Sequence, residues 1–197
     1  MIRHNIFLPI LLVLLIICCG PDTPEQPSSD QPVAIERWPE EGIPVIAWMG
    51  EEDSMAVYER PGDESPARHI AVAKNQELSW NKSLILVQKL GQLRILEDCV
   101  ISGFVYDGLE NNKLVRGKPR QLNFAVDTIL DVVCPAAEGD YIVLYHDQYV
   151  EMSGSMDYVQ IVAMPQTAWW VRLKEIEGPS LWIRVDGKEV AVIDRKF

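Results

Sequence analysis

Short apolar runs separated by turn residues fill the chain after residue 33, and they predict β-strands rather than helices. Met55–Tyr58 and Tyr141–Tyr145 are brief apolar runs that follow acidic residues. Ser83–Val87 and Trp169–Leu173 are rich in branched and aromatic side chains, which favour strands. Because turn signals recur after roughly eight to twelve residues, the pattern is typical of small β-barrels or sandwiches.

Two further segments bear on the fold class. Leu181–Val185 ends at Asp186-Gly187, a pair that favours a tight turn, and Glu189–Ile193 follows, so we expect a hairpin there. Leu122–Val133 is the best candidate for a helix, but its Val, Ile and Thr content favours a strand equally well. We therefore predict an all-β protein.

The apolar, acidic and glycine positions repeat at an offset of 87 residues. Met55–Tyr58, for example, aligns with Ile142–Tyr145 at that spacing. The repeat predicts two related modules that follow one another, the first over residues 33–110 and the second over residues 129–197, with a connecting segment at 111–128.

These segments resemble the bacterial SH3-like domains. Met55–Pro66 (MAVYERPGDESP) is similar to the opening of such a domain, with a strand, an aromatic residue and a turn that contains Pro and acids. Trp80–Ile95 and Trp169–Val185 are similar to its closing hairpin. The resemblance implies two tandem small SH3-like β-barrels. It also implies binding of peptidoglycan or protein peptides rather than catalysis.

The first residues resemble a bacterial lipoprotein signal. Ile6–Ile17 is an apolar run too short to span a bilayer but of the length found in signal peptides, and Cys18-Cys19-Gly20 follows. The resemblance implies a signal peptide over residues 1–18 and a lipid on Cys19, because Cys18 then supplies the small residue before the cut. Lipid on Cys18, an ordinary signal peptide and an uncleaved anchor remain alternatives.

Residues 19–32 are predicted to be a lipidated Cys followed by a disordered tether. Gly20–Pro32 contains four Pro and no large apolar side chain, so nothing there offsets the entropy lost on ordering. We expect an exported protein that is anchored to a bacterial membrane by its lipid. The residue after Cys19 is Gly rather than Asp, which favours the outer membrane, facing the periplasm, in a Gram-negative cell.

The chain is acidic, and this narrows the classes of partner. It has 18 Lys plus Arg against 29 Asp plus Glu, a formal net charge of −11, which argues against a nucleic-acid partner because phosphate binding needs a basic face. One local exception is a basic cluster, which could be a docking patch for an anion or a solvated hairpin that offsets nearby acids. It consists of Lys113, Arg116, Lys118 and Arg120.

The cysteines and histidines indicate no catalytic or metal site. Cys99 and Cys134 follow the tether, and in an exported protein such a pair predicts one disulfide. Two buried thiols, or a pair kept reduced, are the alternatives. His4, His69 and His146 lie too far apart in sequence to indicate a metal site, and we expect no cofactor.

Aromatic side chains are the candidate binding residues. In a strand, adjacent Trp169 and Trp170 project to opposite faces, so one ring should point inward and the other outward, where it could stack on a sugar or a Pro-rich peptide. The alternative is that most of the aromatic rings fill two small cores. The candidates are Tyr58, Trp80, Tyr145, Trp169, Trp170 and Trp182.

Together these features predict a non-enzymatic envelope lipoprotein that binds a peptide, a protein partner or a cell-wall glycan such as peptidoglycan. The membrane would be contacted through the N-terminal lipid. A structural subunit of a membrane-associated envelope complex is the second hypothesis, and an unrecognised hydrolase is the third.

Overall fold

The computed structural model describes residues 33–37, 45–136, 139–153, 157–174 and 180–193. The predicted signal peptide and tether, with Cys18 and Cys19, lie outside these residues, as does Trp38. The prediction of an all-β protein is confirmed, because the described residues form sixteen strands and no α-helix.

The strands are short in the first part of the chain and longer in its middle. Their bounds are β1 Val33–Ile35, β2 Val45–Trp48, β3 Ser54–Val57, β4 Arg68–Ala71, β5 Glu77–Leu78, β6 Trp80–Lys89, β7 Gly91–Ile95 and β8 Cys99–Glu110. The second half consists of β9 Lys113–Phe124, β10 Ile129–Pro135, β11 Asp140–Tyr145, β12 Gln148–Ser153, β13 Val159–Ala163, β14 Gln166–Leu173, β15 Trp182–Arg184 and β16 Val190–Ile193.

Strand pairing divides the described residues into two lobes, one inserted into the other. The second lobe is a seven-stranded antiparallel sheet in the order β13-β7-β10-β11-β12-β8-β9, and it is one continuous stretch, residues 91–163. The first lobe surrounds it in sequence and contains the sheets β1-β6-β14-β15, β16-β2-β5 and β3-β4. The sheets therefore do not follow the predicted division into residues 33–110 and 129–197.

Two pairs of strands that are distant in sequence hold the first lobe together. β6 and β14 pair over most of their length, with Ile85 opposite Trp169 and Ser83 opposite Val171. β2 and β16 also pair, with Trp48 opposite Val190. A contiguous first module thus does not complete its own sheets, because the partner strands β14 and β16 lie within residues 166–193.

The chain crosses between the lobes at two neighbouring places. β6 continues through Leu90 into β7, and β13 continues through Met164 and Pro165 into β14. Gly91 lies where these two connections meet. A Cβ atom on Gly91 would lie 2.5 Å from the carbonyl oxygen of Ala163, a contact that backbone atoms do not tolerate, so the crossing requires glycine.

Three of the apolar clusters define the cores of the two lobes and the contact between them. The first-lobe core is centred on Ile46, Trp48, Met55, Val57, Val171 and Ile183. The second-lobe core is centred on Leu93, Ile95, Ile101, Val132, Val143 and Met152. A third cluster joins Ile35, Ile85 and Val87 of the first lobe to Tyr106, Val133, Cys134 and Ile142 of the second.

The structure decides three predictions about local segments. Leu122–Val133 forms no helix: it supplies the end of β9, a turn with Asp127 in the left-handed region, and the start of β10. The closing hairpin within Trp169–Val185 is confirmed by the pairing of β14 with β15. The hairpin at Asp186-Gly187 is wrong, because β15 pairs with β14 whereas β16 pairs with β2.

The 87-residue repeat places strands at equivalent positions but does not reproduce their partners. Met55–Val57 lies in β3 and Ile142–Leu144 lies in β11. β3 pairs with β4, whereas β11 pairs with β10 and β12. Local strand propensity repeats along the chain, whereas the number of partner strands differs between the two equivalent positions.

Candidate functional site

The second-lobe sheet has one edge without charge, formed by β13. Among the described strands, β13 pairs with β7 alone, with Val159 opposite Ile95 and Ile161 opposite Leu93. Its other side presents backbone N–H and C=O groups without a strand partner in the described part of the chain. Such a row of groups can pair with another extended chain.

Most side chains of this edge are apolar and open to solvent. Ile161, Val162 and Met164 are 40%, 51% and 55% exposed, and Leu90 beside the crossing is 36% exposed. Residues 158–171 contain no Asp, Glu, Lys or Arg. Exposed apolar side chains on an unprotected edge are typical of a surface that another molecule covers. We call residues 159–164 the β13 edge.

The opposite edge of the same sheet, β9, is protected. It contains the predicted basic cluster, and Pro119, which donates no backbone hydrogen bond, sits opposite Phe104 of β8. Charges and proline on an edge strand prevent pairing with further strands. One sheet therefore has a protected edge and an unprotected edge, and this contrast makes the β13 edge the best candidate for a binding site.

Apolar neighbours pack on both faces of β14, so neither ring of the Trp169–Trp170 pair is fully exposed. Trp170 is buried beside Leu84 and Leu86, and its ring meets Tyr58 edge-on, with ring centroids 5.2 Å apart. Trp169 is half-buried and packs against both the first-lobe core and the cluster between the lobes. Strand alternation does separate the two rings, but each meets apolar neighbours.

The remaining aromatic candidates also pack against cores. Trp80 is half-buried at the first-lobe core, and Trp182 is buried with Trp170. Tyr145 is half-buried at the second-lobe core, where its ring meets Phe124 with centroids 4.8 Å apart. The fold does not gather the six candidates into one surface, since Tyr145 lies in the second lobe and the others belong to the first.

Cys99 and Cys134 do not form the predicted disulfide. Both are free thiols, and they lie on different sides of the second-lobe sheet. Cys99 packs at the second-lobe core, whereas Cys134 is fully buried in the cluster between the lobes, beyond an irregularity in β10 that follows Val132. Burial raises the pKa of the Cys134 thiol to about 12.

A buried ionic contact ties the entering chain to the second lobe. Arg37, just after β1, donates a hydrogen bond from Nη2 to Oε1 of Glu151 in β12 at 3.0 Å. The hydroxyl of Tyr106 in β8 donates to the other oxygen of the same carboxylate. Ser83 donates to the carbonyl oxygen of Arg37 at 2.5 Å and holds that segment on β6.

The ionisation of these groups reflects their surroundings. Burial alone would raise the pKa of Glu151, but the hydrogen bonds from Arg37 and Tyr106 outweigh it, so this pKa lies below its ordinary value. Burial and the hydrogen bond to Glu151 raise the pKa of Tyr106 to about 12. At neutral pH Arg37 and Glu151 are therefore charged, while Tyr106 keeps the proton that it donates to Glu151. Such an arrangement is typical of a structural contact rather than of an acid–base pair.

A second ionic contact lies next to the first. Glu36 forms ion pairs with Nζ of Lys82 at 2.7 Å and with Nζ of Lys113 at 3.4 Å. Its backbone N–H also donates to the carbonyl oxygen of Asn112, at the tip of the β8–β9 hairpin, at 2.5 Å. The segment that leaves the predicted tether is therefore attached to both lobes.

Comparison with family models, with curated proteins and with solved structures found no match to this chain. Among the described residues, no helix is long and apolar enough to cross a membrane. No group of three or more His, Cys, Asp or Glu side chains in those residues could hold a metal ion. The geometry described above is thus the basis for a functional proposal.

The β13 edge did not emerge from the sequence as a candidate, although one signal was present. The uncharged stretch at residues 158–171 contains only a short apolar run before Pro165. Such a run is equally typical of a buried strand. Only the sheet order shows that β13 is an edge. The Arg37–Glu151 contact had no local signal, because its partners lie 114 residues apart.

Proposed function

We propose that this chain is a non-enzymatic binding protein of the bacterial cell envelope whose β13 edge pairs with an extended segment of a partner protein. In this proposal a lipid on Cys19 attaches the chain to the membrane, on the periplasmic side of the outer membrane in a Gram-negative cell. The observation that carries the proposal is the exposed, uncharged β13 edge in a sheet whose other edge is protected.

A polypeptide suits this edge better than a glycan does. The β13 edge presents a row of backbone donors and acceptors, and a second backbone is complementary to such a row. A sugar would need an exposed aromatic face, but the aromatic candidates pack against cores. Exposed Ile161, Val162 and Met164 favour a partner segment with apolar side chains at alternate positions.

The decisive experiment places a photo-reactive amino acid at Val162 of the lipidated protein in cells. The cross-linked partner is identified and purified, and its binding to Val162→Lys is compared with binding to Val126→Lys. Val126 is a control of similar exposure, since it is 50% exposed and lies outside β13, in the turn between β9 and β10.

We expect the cross-linked partner to bind at least about tenfold more weakly to Val162→Lys and unchanged to Val126→Lys, because an inserted charge blocks edge pairing. Equal binding by both variants would overturn the proposal. If both variants still sediment with purified peptidoglycan, the result would indicate a cell-wall glycan as the ligand instead. Concentration-dependent oligomers lost in Val162→Lys would support the structural-subunit hypothesis, with a second copy as the partner.

A further inference from the structure

The opposite edge of the second-lobe sheet has the chemistry of a membrane-docking surface. We propose that β9 and the outer face of β8 bind anionic phospholipid headgroups. β9 contains Lys113, Arg116, Lys118 and Arg120 and no carboxylate, although the whole chain has a net charge of −11. The net charge of β9 is therefore opposite in sign to the net charge of the whole chain.

Two of these cations are available to a ligand. Lys118 and Arg120 are exposed, and no carboxylate of the described residues forms an ion pair with either of them. The other two cations have contacts within the protein. Nζ of Lys113 lies 3.4 Å from Glu36, and the guanidinium of Arg116 lies over the Phe104 ring, 3.8 Å from its centroid. The free charge is thus concentrated in the middle of β9.

Exposed apolar side chains lie on the other face of the same edge. Phe104 is 37% exposed and lies opposite Pro119, and Val100 on the same strand is 56% exposed and lies opposite Asn123. Alternate residues of a strand share a face, so Phe104 and Val100 project from the same side of β8. Arg116 lies over Phe104 on this face, whereas Arg120 lies opposite Gly103, so Arg120 and Lys118 project from the other face. A membrane that meets the β8–β9 edge side-on would therefore contact cations from both faces together with Phe104 and Val100, which matches the interface between headgroups and acyl chains.

The position of this surface in the chain is consistent with a nearby membrane. Glu36 contacts the β8–β9 hairpin through a backbone hydrogen bond to Asn112 and an ion pair with Lys113. If Cys19 is lipidated as proposed, the thirteen residues of Gly20–Pro32 reach roughly 40 Å when extended. The hairpin can therefore contact the bilayer while the lipid remains inserted.

A lipid surface explains these features better than an acidic peptide does. Pro119 removes a backbone donor from the middle of β9, so an incoming peptide could not form a continuous strand there. Headgroups need no backbone pairing, since each cation can meet a separate phosphate. The acidic remainder of the protein would be repelled by the same membrane, which orients the molecule with β9 toward it.

The test uses the full chain with Cys19→Ala, so that no lipid at that position holds it to a membrane. Flotation with vesicles of phosphatidylglycerol and phosphatidylcholine is compared with flotation with phosphatidylcholine alone. The double variant Lys118→Gln/Arg120→Gln is compared with Arg68→Gln/Lys74→Gln. Each pair removes one Lys and one Arg from exposed positions, so the net charge changes equally.

We expect the unmodified β9 strand to bind the anionic vesicles, and Lys118→Gln/Arg120→Gln to weaken that binding by about tenfold or more. The control pair should bind as the parent does, and added salt should weaken the parent. Equal binding by both double variants, or no binding to anionic vesicles, would overturn the proposal. Binding to polyglutamate without binding to vesicles would also overturn it and would indicate an acidic polypeptide.

Two checks keep the outcome interpretable. The unfolding midpoints of the two double variants should match the parent, since none of the four side chains is buried. Val162→Lys should bind anionic vesicles as the parent does, because it lies on the other edge of the sheet. Failure of the β13 proposal and failure of the β9 proposal are therefore distinguishable.

Discussion

Arg37 and Glu151 lie 114 residues apart in the chain and meet at 3.0 Å. Arg37 follows β1 of the first lobe, and Glu151 lies in β12 of the second. The contact is screened from solvent, with 22% of the Arg37 side chain and 17% of the Glu151 side chain exposed. The contact therefore holds the segment that follows β1 against the inserted lobe.

Removal of the Tyr106 hydroxyl tests the second hydrogen bond to Glu151. A hydrogen bond to a charged group contributes about 1.5–3 kcal/mol, so Tyr106→Phe should lower the free energy of unfolding by about that amount. The measurement is urea denaturation at neutral pH. Tyr141→Phe is the control, because Tyr141 packs at the second-lobe core. Removal of its hydroxyl should lower the free energy of unfolding much less. Equal losses in the two variants would contradict a special role for the Tyr106 bond.

The stability of the protein should fall in acid because of Glu151. Its pKa in the folded state lies below the ordinary value of 4.5, so its contribution is fully present above that value and is lost as the pH falls through the folded pKa. Unfolding free energies measured from neutral pH to about pH 3 should show this loss. Glu151→Gln should be less stable at neutral pH and should depend less on pH.

Some acid sensitivity should remain in Glu151→Gln. The ion pairs with Lys82 and Lys113 outweigh the burial of Glu36 and lower its pKa as well, which gives the same sign of pH dependence. The double variant Glu36→Gln/Glu151→Gln should have the flattest profile. A pH dependence identical to that of the parent in all of these variants would show that other carboxylates control acid unfolding.

The two thiols of the folded part should react differently with an alkylating reagent. Cys99 is half-buried, whereas Cys134 is fully buried with a pKa raised to about 12. Mass spectrometry of native protein treated with iodoacetamide should find label on Cys99 and none on Cys134 until the protein unfolds. A peptide containing both residues joined through sulfur, recovered from non-reduced protein, would contradict the free thiols.

Lipid attachment is tested by labelling cells with a palmitate analogue. We expect label on the parent and none on Cys19→Ala, because the acyl chains require the Cys that follows the cleavage point. Cys18→Ala is the matched control and should keep its label, since Ala also satisfies the small position before the cut. Labelling retained by Cys19→Ala and lost by Cys18→Ala would move the anchor to Cys18.

The aromatic residues show where sequence reasoning was sufficient and where it was not. The alternation of Trp169 and Trp170 across β14 follows from strand geometry alone and is present. Strand alternation does not determine which residues cover each ring. Leu84 and Leu86 of β6 cover Trp170, and that neighbour strand lies more than eighty residues away in sequence.

The sequence by itself determined that the protein is all-β, because short apolar runs rich in branched and aromatic residues carry a local preference for strands. It also contained the basic cluster of β9 and the uncharged stretch around β13. Only the tertiary structure decided that the second lobe is inserted into the first, that Cys99 and Cys134 lie apart, and that β13 is an edge. Strand pairing joins distant segments by backbone hydrogen bonds, and nearly every residue can form these bonds. The local sequence pattern therefore does not determine which strands pair, and the packing of the cores decides it.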